Sequence, residues 1–175
     1  LLSFTVADYR DFSFYAPLSG ESDSVLVQNF IYNSDEVYAD WKEDILMTAP
    51  LISSFSDLLV DYPFAKEKYG HCMAPMGGGM EHQTMTTISD FDFYLVAHEL
   101  GHQWFGDHIT CGNWQDIWIN EGFASYMEFI AAQELLGQDE ADEWMNTAMS
   151  IALRKTKGSV YVPEEEVEDT YRLFD

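Results

Sequence analysis

The chain begins with alternating apolar and polar side chains, a pattern that predicts β-strands. Within residues 11–17, Phe12, Phe14 and Ala16 fall on one side of the chain and the residues between them on the other, as in a half-buried strand. Three further segments, rich in apolar, β-branched or threonine residues, also predict strands, the last of them exposed: residues 25–32, 69–73 and 80–88.

Later segments carry apolar residues every three or four positions, and this period predicts α-helices. Five helices are expected: one capped by Asn33–Ser34, one that begins at or is kinked by Pro50, one capped by Ser89–Asp90, and two spanning 117–136 and 139–157. Glycines typical of helix ends follow the last three of them: Gly106, Gly137 and Gly158. The acidic run at residues 164–169 is interpreted as solvated surface.

This order of elements predicts an α+β fold in which a small mixed α/β lobe, residues 1–90, precedes a helical lobe, residues 91–175. The length fits one domain or part of one. The chain starts without a methionine and stops abruptly after Asp175, so we expect it to be a piece of a longer protein.

The composition indicates a packed domain that does not bind polyanions. Hydrophobic residues make up 47% of the chain and aromatic residues 15%, which is ample for a core. The 31 acidic and 8 basic side chains give a net charge of −23, which would repel nucleic acid and anionic membranes. Neither a bilayer-spanning run nor a signal peptide is recognised. Two cysteines, Cys72 and Cys111, can pair or stay free.

The candidate chemistry lies in the segment 96–107, which contains His98-Glu99-Leu100-Gly101-His102. On a helix, residues four apart leave the same face, so both imidazoles can bind one tetrahedral zinc ion. Glu99 points about 100° away, where it can act as a general base on water at that metal. We expect this motif at the junction of the two lobes.

A catalytic zinc normally takes a third protein ligand, and Glu121 is the candidate. It stands near the start of the next predicted helix, within Asn120-Glu121-Gly122. Metal-bound histidines usually donate their other ring N–H to a carboxylate or carbonyl, and Asp116 and Glu128 are candidates for that orienting role. Each could equally be an ordinary surface carboxylate.

A glycine run, Gly77-Gly78-Gly79, precedes Met80 and Glu81. Such a run before an exposed strand lets a substrate backbone approach and pair with the strand edge. Glu81 could then anchor a positive group of the substrate. By itself this signal is weak, since a glycine run is more often only a turn.

Taken together, three segments resemble the zinc aminopeptidases of the gluzincin clan, the family of alanyl aminopeptidase and leukotriene hydrolase. These segments are Gly79-Met80-Glu81-His82, residues 98–106 and residues 118–124. Their order and spacing match as well as their residue types, and the resemblance is tight over roughly residues 70–130. It implies a thermolysin-like zinc peptidase catalytic domain, of which residues 1–175 would be a part.

The resemblance also implies a set of roles. One Zn²⁺ per chain would be bound by His98, His102 and Glu121, with Glu99 as general base. Glu81 would bind the substrate's free α-ammonium group. The residues before it would hold the peptide backbone: Gly78, Gly79 and Met80. The expected partners are therefore peptides with a free N-terminus and the flanking domains of the parent chain.

Two features depart from the family pattern. His82 stands where the family usually has asparagine, a version that resembles a minority bacterial branch containing a cold-adapted aminopeptidase. The family's transition-state-stabilising tyrosine follows an Arg-hydrophobe-Phe-Asp segment, and here the chain ends on that segment, residues 172–175. Tyr161 and Tyr171 do not match its position. We therefore expect that the isolated chain lacks one catalytic group.

Two alternatives to the aminopeptidase hypothesis remain open from sequence. A thermolysin-type endopeptidase shares His-Glu-x-x-His and a distant glutamate. A zinc-binding domain without hydrolytic activity is the other, although it would leave Glu99 without a purpose.

Overall fold

The computed structural model describes residues 3–19, 23–154, 159–169 and 173. Its sheet has five strands: β1 (Tyr9–Pro17), β2 (Ser24–Tyr32), β3 (Tyr69–Met73), β4 (Gly79–Met80) and β5 (Thr86–Ile88). They are arranged in the order β1-β2-β3-β5-β4. The β1–β2 and β4–β5 pairs are antiparallel, whereas β3 runs parallel to both of its neighbours.

Five α-helices accompany the sheet: α1 (Asp35–Leu46), α2 (Thr48–Leu58), α3 (Phe93–Gly101), α4 (Trp118–Ala131) and α5 (Gln138–Arg154). A π-helical turn, Ala132–Leu136, continues α4 until Gly137, whose φ of 109° few other residues adopt. Short 3₁₀ turns lie at Trp114–Asp116 and Glu164–Glu166. The predicted α+β order, a mixed sheet followed by helices, is confirmed.

One hydrophobic core joins the sheet to the helices. It takes residues from β1, β2, β3, β5 and from α1 to α4, and its largest fully buried apolar side chains include Ile31, Phe55, Tyr69, Phe91 and Leu100. Alternation in β1 places Ala16 in this core and leaves Tyr15 68% exposed, as the sequence pattern predicted. The core therefore fixes α3, the helix of the metal motif, against the end of the sheet.

The prediction of one exposed strand over residues 80–88 was wrong. Only β4 and β5 form there, joined by a turn, and all three residues of β5 are buried. Its threonines are held internally: the hydroxyl of Thr86 contacts that of Tyr69 at 3.0 Å, and that of Thr87 contacts Nδ1 of His82 at 2.9 Å. Threonine content thus reflected buried hydrogen bonding rather than exposure to solvent.

The predicted cap of α3 was also displaced by two residues. Asp92, not Ser89–Asp90, is the N-cap, and its Oδ1 accepts hydrogen bonds from the N–H groups of Tyr94 and Leu95. Asp90 instead accepts the N–H of Asp92 at 3.1 Å, which forms a turn before the helix. At the other end, α3 stops at Gly101, and a turn carries the chain on to Gly106.

Several other predictions can be compared with the structure. Ser34 caps α1 as expected, and Pro50 lies in the first turn of α2, where its missing N–H is harmless. Residues 155–158, the predicted end of α5, lie outside the described residues. Cys72 and Cys111 are both free thiols. Within the described part of the chain, no helix combines the length and apolar character that crossing a membrane requires.

Candidate metal centre

The two motif histidines lie at the C-terminal end of α3, one turn apart. His98 is in the last turn of the helix and His102 is its C-cap, so their imidazoles lean toward the same point. The two Nε2 atoms are 3.1 Å apart. His102 is only 2% exposed, and both histidines line one open cavity.

Glu121 joins them from the first turn of α4. Its Oε2 lies 3.4 Å from Nε2 of His98 and 3.5 Å from Nε2 of His102. The two helices approach closely because Gly101 faces α4: a Cβ on Gly101 would lie 3.0 Å from Cβ of Met127. The structure thus brings together the three residues that the sequence singled out as ligands.

The separations among these three atoms fit a single metal ion. Ligand bonds of about 2.0–2.2 Å to tetrahedral zinc place two ligand atoms roughly 3.3 Å apart, close to the distances found here. Among the described residues, His98, His102 and Glu121 form the group whose donor atoms lie within 4.8 Å of one another. Two nitrogens and one oxygen are also the donor set that zinc accepts.

Hydrogen bonds at Nδ1 leave both Nε2 atoms free to bind a metal. Nδ1–H of His98 donates to Oε1 of Glu128 at 2.7 Å, and Nδ1–H of His102 donates to the carbonyl of Phe105 at 3.2 Å. The other oxygen of Glu128 accepts a hydrogen bond from the indole N–H of Trp144 at 2.9 Å. Asp116, the second candidate for an orienting role, contacts neither imidazole, since the Phe105 carbonyl occupies that place at His102.

The charged groups of the centre shift one another's pKa values. Burial by itself would lower the pKa of His98, but the neighbouring carboxylates of Glu121 and Glu128 raise it well above 6.5. Burial would raise the pKa of Glu121, but the imidazoles of His102 and His98 beside it lower it to about 2. The two shifts have one origin, the attraction between the imidazoles and the carboxylates that surround them.

Glu99 lies beside the cluster with an unsatisfied oxygen. It is 5% exposed, and its buried Oε2 has no hydrogen-bond partner in the protein. Burial raises the pKa of Glu99 to about 7 against the opposing effect of the two histidines. An orphaned carboxylate oxygen next to three ligand atoms fits a site that receives water at a metal.

Backbone from the glycine segment covers Glu99. A Cβ on Gly79 would lie 2.7 Å from Cγ of Glu99 and closer still to its carboxylate, so only glycine fits against this side chain. Gly79 and Met80 form β4. Gly77 and Gly78 before this strand and Glu81 after it also line the cavity.

One cavity of about 1240 Å³ adjoins the three candidate ligands and Glu99. Its wall includes the metal cluster, Glu99, the segment Gly77–Glu81 and the loop Thr110–Trp114. Every residue predicted to bind substrate lines it: Gly78, Gly79, Met80 and Glu81. Asp116 does not.

Some residues at the site were not anticipated from sequence. Gln103, fully buried behind the cluster, contacts the backbone of Glu81, and Asp107 lines the cavity beside it. Gln103 directly follows His102, and a polar residue at the buried end of an apolar helix was a signal that could have found it. No pattern in the sequence around Trp144 indicated its contact with Glu128.

Of the two tyrosines considered in the sequence analysis, Tyr161 is 49% exposed, and Tyr171 lies outside the described residues.

A mixed sheet, two helices that bring two imidazoles and a carboxylate to one point, and a buried carboxylate beside them are typical of metallopeptidases. Comparison with known proteins gives the family. The model of the peptidase family M1 domain matches residues 48–175, well over half of the chain. The chain belongs to peptidase family M1, which confirms the resemblance found in the sequence; the bacterial branch stays a prediction.

Individual relatives agree with this assignment. Endoplasmic reticulum aminopeptidase 1 of Mus musculus is 28% identical over 196 aligned residues that cover 100% of this chain. Aminopeptidase N of Rattus norvegicus is 60% identical over 38 residues, 22% of this chain and 4% of that protein. Among solved structures, a variant of the M1 zinc metallopeptidase from Deinococcus radiodurans bound to a Tyr-Ser-Ala substrate is 26% identical, with a TM-score of 0.69.

These matches also show how much of each relative the chain represents. It spans 20% of the mouse aminopeptidase, and 94% of this chain covers 38% of the Deinococcus radiodurans chain. The similarity therefore concerns a segment of larger, multidomain proteins.

Proposed function

We propose that this chain carries the catalytic centre of a zinc aminopeptidase, which hydrolyses the N-terminal peptide bond of peptides. The observation that carries the proposal is the presence, in one cavity, of the His98–His102–Glu121 triangle, the orphaned Glu99 carboxylate and Glu81. The aminopeptidases among its relatives support the same activity.

In this proposal His98, His102 and Glu121 hold one Zn²⁺ ion per chain. When bound, zinc supplies a Lewis acid that polarises a carbonyl and makes water a better nucleophile near neutral pH. Glu128 holds the ring of His98 in the ligating orientation, and the carbonyl of Phe105 does the same for His102.

Glu99 acts as the general base. Its carboxylate, which lines the cavity, accepts the proton of the attacking water and then transfers that proton to the nitrogen of the departing amine. Contact with Gly79 on one side limits the positions that the carboxylate can take. A proton acceptor held in this way needs little rearrangement before the reaction.

Glu81 binds the free α-ammonium of the substrate, while Gly78, Gly79 and Met80 accommodate its backbone. All four line the cavity that holds the metal cluster. An anchor for the amino end at a fixed distance from the metal would place the first peptide bond at the reacting position. Peptides with a blocked amino end would then be poor substrates.

Paired peptides test the proposal on the full-length protein. A peptide with a free N-terminus and its N-acetylated copy are incubated separately, and the products are identified by mass spectrometry. We expect stepwise loss of single N-terminal residues from the free peptide and at least about 100-fold slower cleavage of the acetylated copy, since the half-buried carboxylate of Glu81 would lose its charged partner.

A thermolysin-type endopeptidase would behave differently in the same experiment. It would cut both peptides internally and at similar rates, and that result would exclude the aminopeptidase proposal. The proposed partners are peptides with a free N-terminus and the additional domains that the longer relatives contain.

A further inference from the structure

Gln103 is fully buried directly after the second histidine of the motif, and the metal centre does not use it. It lies in the turn that follows α3 with 0% of its surface exposed. A buried amide requires partners for both its oxygen and its nitrogen, because each unpaired group would cost stability.

The side chain of Gln103 uses all of its hydrogen-bonding capacity. Its Oε1 accepts from the hydroxyl of Tyr62 at 3.1 Å and from the backbone N–H of Thr84 at 2.9 Å. Its Nε2 donates to Oδ2 of Asp107 at 2.8 Å and to the backbone carbonyl of Glu81 at 3.3 Å. An amide offers two acceptor and two donor positions, so this amide is saturated.

Two of these four bonds go to the turn between β4 and β5, the turn that carries Glu81. Thr84 in that turn has a φ of 64°, a left-handed conformation that residues other than glycine and asparagine rarely adopt. Such a conformation persists only where the surroundings enforce it. The bond from Thr84 N–H to Gln103 is a buried contact that enforces it.

We infer that Gln103 is a positioning residue for substrate binding: it fixes the turn of Glu81 relative to the metal centre and so sets which peptide bond reaches the metal. This inference rests on the proposed function, in which Glu81 binds the α-ammonium group. One peptide bond separates Gln103 from His102, so the amide links the anchor for the amino end directly to a ligand of the metal. Gln103 touches neither substrate nor reacting atoms and acts through Glu81.

Kinetics of two variants of the zinc-loaded full-length protein test this role. Gln103→Met keeps the length of the side chain and removes every hydrogen bond, whereas Gln103→Glu keeps the two acceptor positions and removes the donors. For a free tripeptide we expect KM to rise about tenfold and kcat to stay within about threefold in both. Cleavage of the N-acetylated tripeptide should not change.

Tyr62→Phe is the matched control. It removes one hydrogen bond from the same amide, one that does not go to the turn of Glu81 and Thr84. The expected KM stays within about twofold of the wild-type value even if the protein is less stable, because the bonds to Glu81 and Thr84 remain. A purely structural role of the network would instead make all three variants behave alike.

A double-mutant cycle shows whether Gln103 acts through Glu81. In a Glu81→Gln background, Gln103→Met should change KM for the free tripeptide less than about twofold, because the anchor that it positions no longer carries charge. An unchanged tenfold effect in that background would overturn the inference.

Thr84→Gly provides a test that does not depend on the folding of the Gln103 variants. Glycine adopts a positive φ without strain, so the variant should fold while its turn becomes less restricted. We expect KM for the free tripeptide to rise about threefold at constant kcat. Wild-type KM values in Thr84→Gly and Gln103→Glu would overturn the inference. If the wild-type protein cleaved free and N-acetylated peptides at similar rates, the proposed function itself would be refuted.

Discussion

At the scale of single residues, Gly79 shows how the glycine segment limits the general base. Gly79→Ala would place a methyl group against the carboxylate of Glu99 and displace it. We expect kcat to fall at least about tenfold with zinc content unchanged, since a misplacement of about 1 Å at a reacting group can cost much more. Gly77→Ala is the control, because a Cβ there meets no atom within 4 Å. Equal kcat values in the two variants would contradict this account.

Glu128 is expected to orient His98, and Asp116 offers a matched comparison. Glu128→Gln replaces a charged acceptor that lies 2.7 Å from Nδ1 of His98. Outer partners of metal-bound histidines typically contribute 10–100-fold to affinity, so we predict a loss of about tenfold or more in zinc affinity. Asp116→Asn should leave the affinity unchanged. Competition with a chromogenic chelator measures both, and similar affinities would remove Glu128 from the orienting role.

At the scale of secondary-structure elements, the start of α3 depends on one side chain. Asp92 accepts two backbone N–H groups, and Asp92→Ala should lower the free energy of unfolding by about 1 kcal/mol. Asp90→Ala removes a contact outside the helix and should cost less. Urea denaturation of the full-length variants measures the difference. If Asp90→Ala lowered the free energy of unfolding more than Asp92→Ala, the cap would lie at Ser89–Asp90, as the sequence alone predicted.

The elements also show what sequence can and cannot predict. His98 and His102 were predicted as a pair because helix geometry alone fixes residues four apart. Glu121 followed from the position of the next helix, although the crossing of α3 and α4 that brings it within 3.5 Å depends on packing at Gly101. The contacts of Gln103 join segments that only the folded chain brings together, so no local pattern encodes them.

The strand predictions held for β1, β2 and β3, and the one for residues 80–88 was wrong about both the length of the strand and its exposure. Residues 11–17 alternate because β1 has one face on the core, and the prediction held. Thr86 and Thr87 in β5 are buried among polar partners, so composition suggested exposure when the fold required the opposite. A strand of three residues is too short to show a period, whereas the five residues of β3, also buried on both faces, were recognised from their composition.

At the scale of the whole molecule, His71 links the stability of the core to pH. It is fully buried, its Nδ1–H donates to Oδ1 of Asn29 at 2.7 Å, and its Nε2 has no partner. Burial lowers the pKa of His71 from 6.5 to about 3. Below pH 6.5 the unfolded chain therefore binds a proton that the folded chain does not, and stability falls as the pH falls from 6.5 toward 3.

The magnitude of this effect can be measured by urea denaturation at two pH values. Linkage gives about 1.4 kcal/mol per pH unit, so between pH 7 and pH 5 wild type should lose about 2 kcal/mol more than His71→Gln. His108→Gln, a change at an exposed histidine, should match wild type. Equal losses in wild type and His71→Gln would show that His71 does not resist protonation in the fold.

The proposed function requires the metal centre to be catalytic, and zinc content measured together with turnover in the full-length Glu99→Gln variant tests this most directly. Glu99 binds no metal in our proposal, so the variant should retain one zinc per chain. Turnover of a free tripeptide should fall at least about 1000-fold, because the proton acceptor is lost while the ligands His98, His102 and Glu121 remain. Wild-type turnover, or loss of the zinc itself, would contradict the assignment of Glu99 and of the centre as described.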